Sequence, residues 1–325
     1  MDGTVKLWRV ATGVEERTIP AHTLWVASVA FSPDGQLLAS ASVDGTIKLW
    51  RVSNGALVNT LTGHTAGVAS VAFAPQGGFL ASAGEDSTVR LWRVSDGQLE
   101  HTLSYGDAAP AFSVAFSSDG SQLAAGGAAN YIRVWRVSDR TLQRTLTGHV
   151  APVVSVAFVP GSPLLVSGGA DSSVKLWRTT DGMPLGTLTV HTAQVASIAF
   201  APNRSLLASG SGDATIRLWR VGDGGLERIL RHDFGVTSVA FSPDGQLLAS
   251  ASEDGVVKLW RTVDGGLVRT LTAHAGAVAS VAFSPNGQLL ATAGDDGTVK
   301  IWRVVDGVPL RTINAHAGYV ASVAF

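Results

Sequence analysis

The stretch HTAGVASVAFAPQGGFLASAGEDSTVRLWRVSDGQLEHTL, residues 64–103, decides how this chain folds. It contains four short runs, VASVAF, FLASAG, TVRLW and QLEHTL, separated by clusters of turn-forming residues such as Gly, Pro and Asp. Alternating runs that recur about every 10 residues with turn signals between them are the mark of antiparallel β structure. Outward from this stretch the pattern repeats along the whole chain. Tryptophans stand at 8, 50, 92, 135, 177, 219, 260 and 302, so successive ones lie 41 to 43 residues apart. Self-similarity at such a period means a repeat architecture in which one unit cannot bury its own apolar faces. In the unit of Trp50, Ile47 and Leu49 point to one side of the strand while Lys48 and Trp50 point to the other, so both sides need neighbours. The VASVAF strand mixes small and large residues, as expected where strands crowd toward a common axis.

Composition narrows the classes further. The 325 residues include no cysteine, which excludes disulfides, Cys-ligated metal and a thiol nucleophile. Charged residues make up 15 % of the chain, below the ~25 % of an average soluble domain. The net charge of −1 supplies no field to draw the chain toward nucleic acid or an acidic surface. No apolar run reaches the ~18 residues of a membrane span, and MDGTVKLWRV has no apolar secretory core. A cytoplasmic protein that engages no membrane is expected.

Three further residue types recur in register with the tryptophans. A histidine stands at His22, His64, His149, His191, His232, His274 and His316. An Asp precedes each Trp by six residues at Asp2, Asp44, Asp86, Asp171, Asp213, Asp254 and Asp296. Four residues before that Asp stand Ser40, Ser82, Ser167, Ser209, Ser250 and Thr292. With Trp50, Trp92, Trp177, Trp219, Trp260 and Trp302, this pattern resembles the WD-repeat β-propeller family, and the resemblance spans the chain. It implies four-stranded antiparallel blades in which His, Ser/Thr, Asp and Trp form a structural hydrogen-bonded chain. The unit of Trp135 departs from the pattern. Gly106 or Asp107 takes the His slot, Ala125 the Ser slot and Ala129 the Asp slot. Joint loss is what a network predicts, because one orphaned buried partner costs ~1–3 kcal/mol whereas removing all of them is nearly neutral. On this reading Gly106→His alone gains nothing. A second departure is Trp-Arg in all eight units where the family usually has Trp-Asp. Six of these arginines have Asp three residues later, at 96, 139, 181, 223, 264 and 306, which predicts exposed ion pairs across a turn.

Catalytic, cofactor and metal sites are not expected. Seven of the eight histidines fill the repeat slot, and His101 sits in an outer strand. No phosphate-binding, nucleophile-elbow or metalloprotease motif occurs, and one carboxylate per turn is too few for calcium. Of 24 basic residues, sixteen are spread evenly by the repeat, at the Trp-Arg positions and two residues before each Trp, so nucleic-acid binding is not expected. Asn203-Arg204-Ser205 matches a glycosylation acceptor but lacks a secretory context.

Residues that break the repeat near the histidine loops are the candidates for recognition. Trp25 and Tyr319 replace the usual small residue, with Leu24 beside Trp25, and Gln194 occupies the same slot elsewhere. Two residues beyond the slot of Trp25 and Tyr319, where most units carry Ala, the Trp135 unit has Phe112. Glu85, Glu253 and Asp295 precede turn aspartates and make this side mildly acidic. The resemblance places these positions on the top face, where a protein or peptide partner is expected to dock.

Eight periods of 42 residues exceed the 325 present by about one strand with its turns. The reading is one all-β domain, 1–325, forming an eight-bladed propeller with an incomplete closing blade from 1–19 plus 320–325. Seven blades is the alternative. The expected function is a non-enzymatic interaction scaffold, with self-association through the incomplete blade as the alternative and a hydrolytic or small-ligand propeller ranked last.

Overall fold

The computed structural model, which describes residues 3–9, 14–106, 108–189, 191–203, 205–316 and 318–325, turns each full repeat into a meander of four antiparallel strands. In the repeat quoted above the strands are Val68–Phe73, Phe79–Gly84, Thr88–Arg93 and Leu99–Ser104, paired in that order. We number the four-stranded sheets blades 1 to 7, spanning 26–61, 68–104, 111–147, 153–189, 195–231, 236–272 and 278–314. Asp2, Asp107 and Arg204, which the sequence reading invoked, lie outside the described residues, as do 10–13.

Burial follows strand order and explains the composition of each run. The second strand, for example Leu37–Ser42, is buried along nearly its whole length. Its Ala, Ser and Gly residues let neighbouring sheets approach on both faces. The fourth strand is mostly exposed and keeps one buried aliphatic, such as Leu61 or Leu103. Two compact units result, one holding blades 1 to 3 and most of blade 4, the other blades 5 to 7. In the first, Ile47, Leu49 and Leu61 of blade 1 pack against Val68, Leu80 and Trp92 of blade 2. In the second, Val257, Leu259 and Leu271 of blade 6 pack against Val278, Leu290 and Trp302 of blade 7. In several blades a serine on the first strand adds a polar tie: the Val71 amide donates to Ser28 Oγ (3.3 Å), and the Val281 amide to Ser238 Oγ (3.4 Å).

Blade number departs from the expectation. Seven four-stranded antiparallel sheets form, together with a two-stranded sheet of Thr4–Arg9 and Val14–Pro20. The fold is therefore a seven-bladed propeller, the alternative stated above, and the eight-bladed reading with a three-stranded closing blade is not supported. The reason is local. Segment 320–325 packs against blade 7 through Val320, Val323 and Phe325, with Trp8 in the same cluster. The Val323 amide reaches Ser280 Oγ at 3.4 Å, as first-strand valines do elsewhere. Yet among the described residues no segment pairs with it, and without a ladder partner it forms no strand. No helix among the described residues is long and apolar enough to cross a membrane.

Candidate functional site

Tryptophan, serine, histidine and aspartate of one blade meet as the spacing requires. In blade 2 the Trp92 indole donates to Ser82 Oγ (2.9 Å), His64 Nε2 lies 2.8 Å from that oxygen, and His64 Nδ1 lies 2.9 Å from Asp86 Oδ2. Blades 1, 4, 5 and 7 repeat this with His22–Asp44, His149–Asp171, His191–Asp213 and His274–Asp296 at 2.8 to 3.1 Å. The matching hydroxyls are Ser40, Ser167, Ser209 and Thr292, and the indoles Trp50, Trp177, Trp219 and Trp302. The indole can only donate, so the hydroxyl spends its own proton on His Nε2, which leaves Nδ1–H for the carboxylate. One neutral tautomer satisfies all four groups.

Electrostatics agree with that assignment. Burial lowers the pKa of His22, His64, His149 and His191 and outweighs the raising effect of the adjacent aspartate. Burial pushes the Asp44 and Asp213 carboxyls up, but their hydrogen bonds win and hold both at about 2. The donors include the Thr46 and Thr215 hydroxyls and the amides of Thr23 and Thr192. Aspartate, histidine and serine in sequence resemble a hydrolytic triad in chemistry alone. The serine oxygens are wholly buried and already accept from tryptophan, so no carbonyl can reach them.

Blade 6 holds the network incompletely. His232 Nε2 meets Ser250 (2.7 Å) and the Trp260 indole donates to the same hydroxyl (2.8 Å), but His232 Nδ1 is buried without a partner. Asp254 instead accepts from the Val256 amide. Two sequence features account for this. The segment from Leu230 to His232 is one residue shorter than from Leu61 to His64, and Val256 stands where the other network blades carry a hydroxyl, threonine in four of them and Ser173 in blade 4. Burial and the nearby Lys258 depress His232 to about 4.

Blade 3 replaces the network outright, in a way the sequence reading missed. Tyr105 is fully buried. Its hydroxyl donates to the Tyr131 carbonyl (2.8 Å), while the Tyr131 hydroxyl donates to the Tyr105 carbonyl (3.1 Å). The rings lie 5.6 Å apart. A Cβ at Gly106 would sit 2.2 Å from the Tyr131 hydroxyl, so Gly106→His is expected to clash and to destabilise, which goes further than gaining nothing.

The recognition candidates fall in both units. In the first, Leu24 and Trp25 are each 48 % exposed, and Val43, tied to the Trp25 carbonyl by its amide (3.0 Å), is 37 % exposed. Phe112 is half-buried at the point where the first strand of blade 3 shifts register, a bulge that re-aims its side chain. Glu85 is exposed, with its carboxylate over Gly67. In the second unit Tyr319 is partly exposed, and Gln194, Glu253 and Asp295 are exposed, the Glu253 carboxylate covering Gly235. On the opposite turns, Arg93–Asp96, Arg136–Asp139, Arg178–Asp181, Arg220–Asp223, Arg261–Asp264 and Arg303–Asp306 all form ion pairs. Those arginines are therefore neutralised in place and form no open basic surface.

The family model for the WD domain, G-beta repeat, matches residues 13–51, 55–93 and 265–303, and the model for the IFT122 first beta-propeller matches 110–263. A crystal structure of the computationally designed Ika8 protein superposes with a TM-score of 0.84 at 29 % identity, covering 94 % of this chain and 92 % of that one. No curated protein sequence matches the chain.

Proposed function

Since the chain belongs to the WD-repeat β-propeller family, we propose that it is a non-enzymatic scaffold, a single domain over 1–325, that docks a protein or peptide partner through Leu24 and Trp25. Members of the family typically bind proteins and are generally not enzymes. One observation carries the choice of residues: two large apolar side chains stand half in water beside exposed Val43, on a chain whose other tryptophans in register are buried or packed. A half-exposed tryptophan is a common anchor of binding energy. The histidines and turn aspartates support the non-enzymatic reading, because five of the seven blades commit them to closed networks of a neutral histidine and an ionised aspartate. Within the first unit, acidic Glu85 and half-buried Phe112 belong to the same reading; Tyr319, Gln194, Glu253 and Asp295 are proposed as further partner contacts on the second unit. Proximity labelling with wild type, Trp25→Ala and His101→Ala tests it. A set of labelled proteins shared by wild type and His101→Ala but lost in Trp25→Ala is expected, and an unchanged set in Trp25→Ala defeats the proposal.

Self-association is the second reading. It is favoured by a sheet that holds two strands where every other repeat holds four. Light scattering decides it, since a monodisperse monomer across a concentration series removes the reading.

A further inference from the structure

Two Asn-Gly dipeptides occur in the chain, Asn54-Gly55 and Asn286-Gly287. Both lie in exposed turns at positions where sister blades carry aspartate. Asn54 corresponds to Asp96, Asp139, Asp181, Asp223, Asp264 and Asp306, and Arg51 precedes it by three residues as the paired arginines precede those aspartates. Asn286 corresponds to Asp34, Asp119 and Asp244, each of which accepts a hydrogen bond from a serine two residues earlier at 2.5 or 2.6 Å. Ser284 makes the same bond to Asn286 Oδ1 at 2.7 Å.

We propose that Asn54 and Asn286 are sites of spontaneous deamidation, where each turn converts itself to the carboxylate that the same position carries in sister blades. The chemistry needs only water. The glycine amide nitrogen loses its proton to solvent base and attacks the asparagine Cγ. The bond from Cγ to the side-chain nitrogen breaks, and ammonia leaves with that proton. Water then opens the cyclic imide. Cleavage at Cγ gives aspartate, and cleavage at the backbone carbonyl gives isoaspartate.

Three observations place the reaction here. Each Oδ1 already accepts the amide of the residue two further on, Ala56 at 3.0 Å and Gln288 at 3.1 Å. Those donors steady the negative oxygen of the tetrahedral intermediate as a fixed oxyanion site does. The attacking nitrogen belongs to glycine in both cases, so no side chain hinders its approach. The product is welcome, because Arg51 or Ser284 stands where arginine or serine already holds the carboxylate in other blades. One contact opposes the step: the Gly55 amide donates to the Arg51 carbonyl (2.7 Å) and the Gly287 amide to Ser284 (2.8 Å). Each turn must open briefly before the nitrogen is free to attack.

Asn203 supplies an internal control. It occupies the position of Asn286 in blade 5, with Ser205 donating to its Oδ1 in the same way (3.0 Å), but arginine follows it in place of glycine. The test holds the native protein at mildly alkaline pH in water enriched in heavy oxygen and maps peptides by mass spectrometry, beside a urea-unfolded sample. Heavy carboxylates at 54 and 286, with Asn203 still an amide, are expected. The first product is expected to elute on ion exchange with the Asn54→Asp or Asn286→Asp variant. Native amides persisting at both positions after the unfolded sample has converted overturn the proposal, and so does equal conversion at Asn203. Conversion at one position alone overturns the assignment of the other.

Discussion

The turn aspartate is the residue whose role differs most sharply between blades. Asp171 accepts from His149 Nδ1 (2.9 Å) and from the Val150 amide (2.9 Å). Asp171→Ala removes the carboxylate from buried His149 Nδ1, whereas water can replace it at the exposed Val150 amide, and is expected to cost ~1–3 kcal/mol in chemical denaturation. Asp254→Ala is expected to cost clearly less, because His232 Nδ1 is already without a partner. Equal losses for the two variants would mean that the histidine bond contributes nothing. At this scale the sequence displayed the networks but not their exceptions. Recurrence of His, Ser, Asp and Trp in register was enough to expect the bonded chains. The Tyr105–Tyr131 exchange was hidden because both residues fall outside the repeat slots and lie 26 positions apart. The gap at His232 had left signals, a tryptophan spacing of 41 and Val256 in place of threonine, whose effect depends on atomic reach that periodicity does not convey.

Between elements, the outer strand of one sheet grips a turn of the next, from the two-stranded sheet to blade 1 as well as between blades. Arg17 donates to the Ser53 carbonyl (3.0 Å), Arg144 to Thr180 (2.7 Å), Arg228 to Val263 (2.9 Å) and Arg269 to Val305 (2.5 Å). The stem of Arg228 lies over Gly265, where a Cβ would come within 3.0 Å of Arg228 Cδ and the backbone φ is +72°. Gly265→Ala is therefore expected to destabilise by ~1–3 kcal/mol through strain and crowding. In a double-mutant cycle with Arg228→Ala, part of that loss should return, since removing the stem relieves its share of the crowding but neither the φ nor the contact with Leu230 Cδ2, also at 3.0 Å. Strict additivity would show that the Arg228 stem contributes no crowding. These grips were not legible in sequence. Arg228 and Arg269 belonged to no repeat class there, and their partners are backbone atoms about 36 residues away, which residue identity does not mark.

For the whole molecule, the blade architecture was readable because the tryptophan period fixes it, while blade count was not. Eight tryptophans suggested eight blades, but a strand exists only where a neighbouring segment can pair with it, and 320–325 has none. Acid stability should report the sum of the networks. A histidine held below its ordinary value is protonated first in the unfolded chain, so its contribution is intact above pH 6.5 and is lost as pH falls. For His232 the loss runs from 6.5 to about 4. The carboxyls of Asp44 and Asp213, held at about 2 against an ordinary 3.8, add a further loss between those values. The urea midpoint is expected to decline from pH 6.5 downward, and a flat midpoint between 6.5 and 4 would show that the buried histidines gain no proton on unfolding. The paired turn charges have another consequence. Six Arg–Asp pairs at 2.5 to 3.1 Å on a chain of net charge −1 make this surface a lattice of small dipoles with little monopole field. Two copies in solution repel each other weakly at long range, so the colloidal behaviour of the protein near neutral pH is set by short-range contact rather than by charge or salt.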